Sequence, residues 1–150
     1  MDHGLQAAKL FNEDYNCAQA VLLAFGDLTG LEPKLAARMI SPFGGGMGRM
    51  REVCGAVSGM FAVLGILYGY DDTSDNAAKK ALYADVQALA AKFREQAGSI
   101  ICREILKNPK SDPNPSPRTA EYYAQRPCAR MCYLAGSLLD AFIENHPLEG

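Results

Sequence analysis

Wherever this chain gathers apolar residues, they recur at intervals of three and four, and no apolar run alternates with polar residues. Residues 17–25 set Ala18, Val21, Leu22 and Phe25 at i, i+3, i+4 and i+7, and residues 76–96 keep the same rhythm at Leu82, Val86, Leu89 and Phe93. Such spacing lines one face of an α-helix and would scatter over both faces of a strand. The punctuation agrees with the period. Asn16 is an N-cap residue, Pro33 a favoured first helical residue, Ser41-Pro42 a stop, Asp72-Thr73-Ser74-Asp75 a cap cluster and Gly98 a terminator. Helices are predicted over residues 5–11, 17–25, 33–40, 51–68, 76–96, 100–106 and 128–144. The expected fold is all-α, a compact single domain over residues 1–150 built as a bundle of five or six helices. A Gly-rich loop falls at 43–50. A Pro-rich loop with four prolines falls at 108–117, read as a loop or mobile linker, and a mobile tail at 146–150.

Composition narrows the function classes. A net charge of −2 offers no basic field, so no nucleic acid is expected as partner. The most apolar stretch, 53–70, is interrupted by Gly55, Gly59, Gly65 and Gly69 and falls short of the roughly 20 residues that a membrane span needs, so no membrane partner is expected. Glycines four apart share a helix face and admit close backbone approach; tight packing is the reading for Gly65 and Gly69, with Gly69 also a candidate C-cap. Met1-Asp2-His3-Gly4 carries no charged-then-apolar leader pattern, and a cytoplasmic location is expected.

The cysteines then become the informative residues. Four of the five, Cys17, Cys54, Cys102 and Cys128, fall where a helix is predicted to begin. A helix N-terminus carries partial positive charge and favours a thiolate, the form that attacks disulfides and binds metals. Arginines stand beside three of them: Arg49 and Arg51 before Cys54, Arg103 after Cys102, Arg126 and Arg130 around Cys128. No CxxC pair exists, so any shared site has to be assembled by the tertiary fold. Four convergent thiolates could hold zinc or an iron–sulfur cluster, and two pairs could instead form dithiol/disulfide couples. Cys17, Cys54, Cys102 and Cys128 are thus candidate catalytic residues and candidate metal ligands, with Cys54 expected to be the attacking thiolate. Burial would explain any one cysteine alone. Cys132, followed by Tyr133-Leu134-Ala135, is read as a core residue.

Gly44, Gly45, Gly46 and Gly48 with Arg49 form a candidate cofactor-binding loop, since glycine-rich turns before a helix can cradle phosphate. The loop lacks GK[ST] and no strand precedes it, so as a nucleotide signal it is weak. It could equally bring bare backbone close to Cys54. Glu52 is read as a dipole-favoured charge rather than a proton carrier, and His3 and His146, near the termini, as neither ligand nor base. Tyr15, Tyr68, Tyr122 and Tyr123 are read as packing or surface residues.

Taken in order, Tyr15-Asn16-Cys17-Ala18-Gln19-Ala20-Val21, the glycine loop, Cys54-Gly55-Ala56-Val57-Ser58-Gly59, Cys102-Arg103-Glu104 and Cys128 resemble the redox-active protein family named for its cysteine pattern, C_GCAxxG_C_C. The resemblance spans about residues 5–143. It implies a small helical redox protein with metal or cluster binding, its four cysteines falling on Cys17, Cys54, Cys102 and Cys128. The label reads Gly-Cys-Ala where this chain reads Cys54-Gly55-Ala56. The leading expectation is a redox protein acting by thiol–disulfide exchange or by electron transfer through a metal centre, toward a redox partner protein or small molecule. The alternatives are a non-catalytic helical binding or assembly module with structural or zinc-binding cysteines, whose small-residue faces would pack homo-oligomer subunits, and phosphate or nucleotide binding at the glycine loop.

Overall fold

A computed structural model of the chain describes residues 1–107 and 109–148. Asn108 of the Pro-rich loop and Glu149-Gly150 of the tail lie outside the described residues. The fold is all-α. Its elements are α1 (His3–Phe11), α2 (Cys17–Ala24), α3 (Gly26–Thr29), α4 (Pro33–Ile40), a 3-10 turn (Ser41–Phe43), α5 (Gly44–Met47), α6 (Gly55–Tyr68), α7 (Asn76–Ala97), α8 (Cys102–Leu106), α9 (Ala120–Gln125) and α10 (Cys128–Asn145). The long helices match the apolar periods. The short ones, α3 and α9, have no apolar period of their own and were not predicted. No helix among the described residues is long and apolar enough to cross a membrane.

Helix α2 is the centre of the bundle, packed against α1, α4, α6 and α10. Its composition dictates this position: Ala18, Ala20, Val21, Leu22 and Ala24 are all buried, leaving no polar face to turn to water. Helix α6 lies against it through two glycines. A Cβ on Gly59 would sit 2.8 Å from the Ala18 carbonyl oxygen, and one on Gly55 3.1 Å from the Cys17 Cβ. The close-packing pair is therefore Gly55 and Gly59. Gly65, expected to pack tightly, faces open space, and Gly69 is the C-cap of α6. The core between α1, α2, α6 and α10 is filled by Phe11, Phe25, Met60, Leu64 and Leu139, with Leu89 and Phe93 of α7 closing one side.

Helix α6 begins later than the apolar run suggests. Arg51 has a left-handed φ of 62°, and residues 52–54 run extended before Cys54 caps the helix. The extended stretch pairs with the chain entering α8. Val53 and Ile101 form an isolated antiparallel bridge, the Cys54 N–H donating to the Ile100 carbonyl at 2.7 Å and the Cys102 N–H to the Glu52 carbonyl at 2.6 Å.

Candidate functional site

Each of the four helix-start cysteines keeps that place in the fold. Cys17 is the first residue of α2, behind a complete capping box: the Gln19 N–H donates to Asn16 Oδ1 at 2.9 Å, and the Asn16 N–H donates to Gln19 Oε1 at 3.1 Å. Cys54 is the N-cap of α6, and Cys102 and Cys128 open α8 and α10. Alternation along the bridged backbone puts Cys54 and Cys102 on the same side of the Val53–Ile101 pair. All four thiols line one cavity of about 150 Å³. Cys132, one helical turn beyond Cys128, is fully buried behind that wall, its thiol 3.8 Å from the Cys17 carbonyl oxygen. All five cysteines are free and buried.

The glycine loop forms part of the wall in an unusual conformation. Residues 45–49 all have positive φ, between 59° and 70°. L-residues resist this at about 1–2 kcal/mol each, and glycine does not. Three of the five positions are Gly45, Gly46 and Gly48, while Met47 and Arg49 bear the strain. Gly46 is held there by contact as well: a Cβ would lie 2.6 Å from the Cys102 Cβ and 2.8 Å from the Arg51 Cα. Of the predicted loop residues, Gly44, Gly45, Gly46 and Arg49 line the cavity and Gly48 does not. Backbone N–H groups of residues 48–52 donate to carbonyls within the loop, from Gly44 to Met47, so they are not free to cradle a phosphate.

Arginine sets the electrostatics. Arg49, Arg51, Arg118 and Arg126 line the cavity, and among the described residues no Asp or Glu does. The sequence places Arg51 beside Cys54, but the fold delivers it to Cys102, with Nη1 3.7 Å from the sulfur. Arg51 is 4% exposed. Its Nε donates to the Lys110 carbonyl at 2.8 Å, and its buried Nη2 has no partner among the described residues. Arg49 donates from Nε to the Asp112 carbonyl at 2.8 Å and from Nη1 to Ser116 Oγ at 3.0 Å. Burial and then the charge of Arg51 lower its pKa. Arg118 crosses from the far end of the Pro-rich segment to donate to the carbonyls of Phe11 at 3.1 Å and Tyr15 at 3.0 Å. Arg103, next to Cys102 in sequence, and Arg130, two residues after Cys128, do not line the cavity. Arg103 pairs with Glu52 at 2.6 Å on the surface instead.

The thiols do not rest as thiolates. The sequence expectation that helix starts and arginines would lower the cysteine pKa values is corrected by burial. Desolvation pushes Cys54 up to about 12, against the N–H groups of Ala56 and Val57, which favour its thiolate without making a formal cap bond. Burial also raises Cys102, although the Arg51 hydrogen bond and charge oppose it. For Cys17, hydrogen bonding with Cys128 favours the thiolate, but the opposing bond with Cys132 and burial leave the pKa raised. Cys128 is pushed up by its hydrogen bond with Cys17 and then by burial. Cys132 is favoured as thiolate by Cys17 and still raised by burial. Cys128 lies close enough to influence the titration of Cys17, Cys54, Cys102 and Cys132. Among the described residues no group of three or more His, Cys, Asp or Glu side chains is arranged to hold a metal ion. Zinc or a cluster would need the thiols turned from these positions.

Two neighbourhoods are invisible in the sequence. The Pro-rich segment is a cover: Pro115 and Ser116 line the cavity, and Arg49 and Arg51 tie the segment down through the carbonyls of Asp112 and Lys110. Tyr122, at the start of α9, lines the cavity with the Arg118 and Arg126 guanidinium carbons each 5.0 Å from its ring centre. No periodicity or cap signals these roles; Pro117-Arg118 reads as any loop. His3 lies elsewhere, buried at the start of α1 against Asp140 of α10 and Asp27 of α3.

Compared with known proteins, residues 15–142 match the family model described as "Putative redox-active protein (C_GCAxxG_C_C)". No curated protein and no solved structure matches the chain.

Proposed function

The chain belongs to that redox-active C_GCAxxG_C_C family, and from this premise we propose that its cysteine cavity is a thiol–disulfide redox centre with Cys128 at its hub. The observation that carries the reading is the convergence of Cys17, Cys54, Cys102 and Cys128 on one cavity, with Cys128 influencing the titration of the other three. Neighbouring thiols are what a dithiol couple requires. Metal ligation is not favoured by these side-chain positions.

The attacking role passes from Cys54, which its sequence neighbours favour, to Cys102. Cys102 is the thiol in contact with a guanidinium, and a guanidinium stabilises the thiolate once it forms. The Cys102 thiolate attacks one sulfur of a disulfide substrate. That S–S bond breaks, one substrate thiolate leaves, and a mixed disulfide remains. The Cys128 thiolate then attacks the Cys102 sulfur and releases the second substrate thiolate. Two electrons pass from the protein to the substrate, and the two protons lost by Cys102 and Cys128 end on its two thiols. Cys17, which lines the same cavity and influences the titration of Cys128, can exchange into the bridge.

Oxidation of the reduced protein with a small disulfide, followed by alkylation of remaining thiols and peptide mapping, tests the reading. The expected product has lost two free thiols, with Cys128 in the new bridge. Five thiols still free after such treatment, or a bridge that leaves out Cys128, would overturn it.

A further inference from the structure

The cavity holds more positive charge than its thiols neutralise. Arg49, Arg51, Arg118 and Arg126 all line it, and none takes part in an ion pair among the described residues. Three of them are fixed chiefly by neutral carbonyl groups, which aim a guanidinium without cancelling its charge. The guanidinium of the fourth, Arg126, donates no hydrogen bond among the described residues and rests over the Tyr122 ring. Arg51 is nine-tenths and more buried and still leaves Nη2 without an acceptor. Buried donors are almost always satisfied, so an orphaned guanidinium nitrogen beside a cavity points to an acceptor that binds there.

The backbone adds to the same field. Helices α2, α6 and α10 begin at the cavity wall through Cys17, Cys54-Gly55 and Cys128, and a helix start carries partial positive charge. The thiols are held neutral by burial, so they do not supply the missing negative charge at rest. Size limits the ligand. A cavity of about 150 Å³ is smaller than the ~300 Å³ at which drug-sized pockets begin.

We propose that the cavity binds a small oxyanion between Arg51 and Arg126, beside Cys102. The proposal rests on the dithiol reading, since it names the charge that a disulfide substrate of that same centre carries: a compact anionic group held beside Cys102, rather than a neutral disulfide or a nucleotide.

The test uses the full reduced chain, titrated with sodium sulfate and with inorganic phosphate against sodium chloride at matched ionic strength, reading heat of binding and unfolding midpoint. A saturable response to sulfate or phosphate and none to chloride is expected. Arg126→Gln should weaken it by about tenfold or more. Arg126 is partly exposed and its side chain makes no hydrogen bond among the described residues, so this variant keeps the test decisive if Arg51→Gln does not fold. No saturable response, or one unchanged in Arg126→Gln, overturns the proposal. Disulfide formation in the same preparation separates the two readings. If the bridge through Cys128 forms but no anion binds, the anion site falls and the dithiol centre stands. If anion binds but no bridge forms, the site has no redox role and the proposal fails as a statement about substrate.

Discussion

His3 and Arg51 are the two charged-type side chains buried in the described structure, and their surroundings are opposite. His3 is answered on every side. Its Nδ1 lies 2.6 Å from an Asp140 oxygen, its Nε2 3.0 Å from both Asp27 oxygens, and its ring stacks on Phe25 at 4.2 Å. Arg51 has carbonyl, sulfur and an orphaned nitrogen, and no carboxylate. The first arrangement ties α1 to α10 and the end of α2. The second leaves a field without a counter-charge, which serves stability poorly and chemistry well. A protein keeps an uncompensated buried cation where something else is to be bound or ionised.

Removing the hub should give the largest effect. Cys128→Ser is expected to abolish the intramolecular bridge that a small disulfide forms in the wild type, read by counting free thiols, whereas His3→Gln should leave that count unchanged. Next in size is the stability of the satisfied centre. His3→Ala loses charge-assisted hydrogen bonds and a stacked ring, and should cost about 2–4 kcal/mol, or roughly 5–15 °C in Tm by calorimetry. If it costs nothing, the contrast between the two centres is broken.

Arg51→Met should behave oppositely: stability within about 1 kcal/mol of wild type, or higher, because a buried cation with no carboxylate beside it is exchanged for an apolar chain. The same variant should alkylate more slowly at Cys102, with iodoacetate, an anion, losing more rate than neutral iodoacetamide. Peptide mapping of partly alkylated protein reads both rates. The smallest effect is on pH. Cys54 rises from its ordinary value of 9.0 to about 12 in the fold, so the unfolded chain releases its proton first. The stabilisation is fully present below pH 9 and is lost as pH rises toward 12. Denaturant midpoints of the reduced protein should fall over that window, and Cys54→Ser should flatten the fall.

Much of the helical frame was legible because its signals are local. Asn16 and Gln19 are three apart and cap α2 themselves; Pro33 opens α4, and Gly98 closes α7 in the left-handed conformation. The helix-start position of Cys17, Cys54, Cys102 and Cys128 follows from the same short-range rules. The start of α6 was misplaced because Arg51 and the stretch after it answer to a distant segment at Ile100–Cys102, and a bridge partner leaves no trace in local periodicity. His3, near a terminus, read as peripheral, since nothing near it in sequence announces Asp27 or Asp140.

What the sequence by itself determined is which backbone positions carry the chemistry: four thiols at helix starts, a glycine-rich turn able to adopt left-handed φ, and arginines nearby. Only the tertiary structure decided that the four thiols share a cavity, that Arg51 serves Cys102 rather than Cys54, and that Arg118 and the Pro-rich segment complete the wall. It also decided the protonation state. Caps and dipoles act within a turn of the residue that carries them, so sequence reveals them. Desolvation depends on everything packed around a group, and here it is the leading cause that raises Cys54 and Cys102, while thiol–thiol contacts supplied by distant helices lead at Cys17, Cys128 and Cys132.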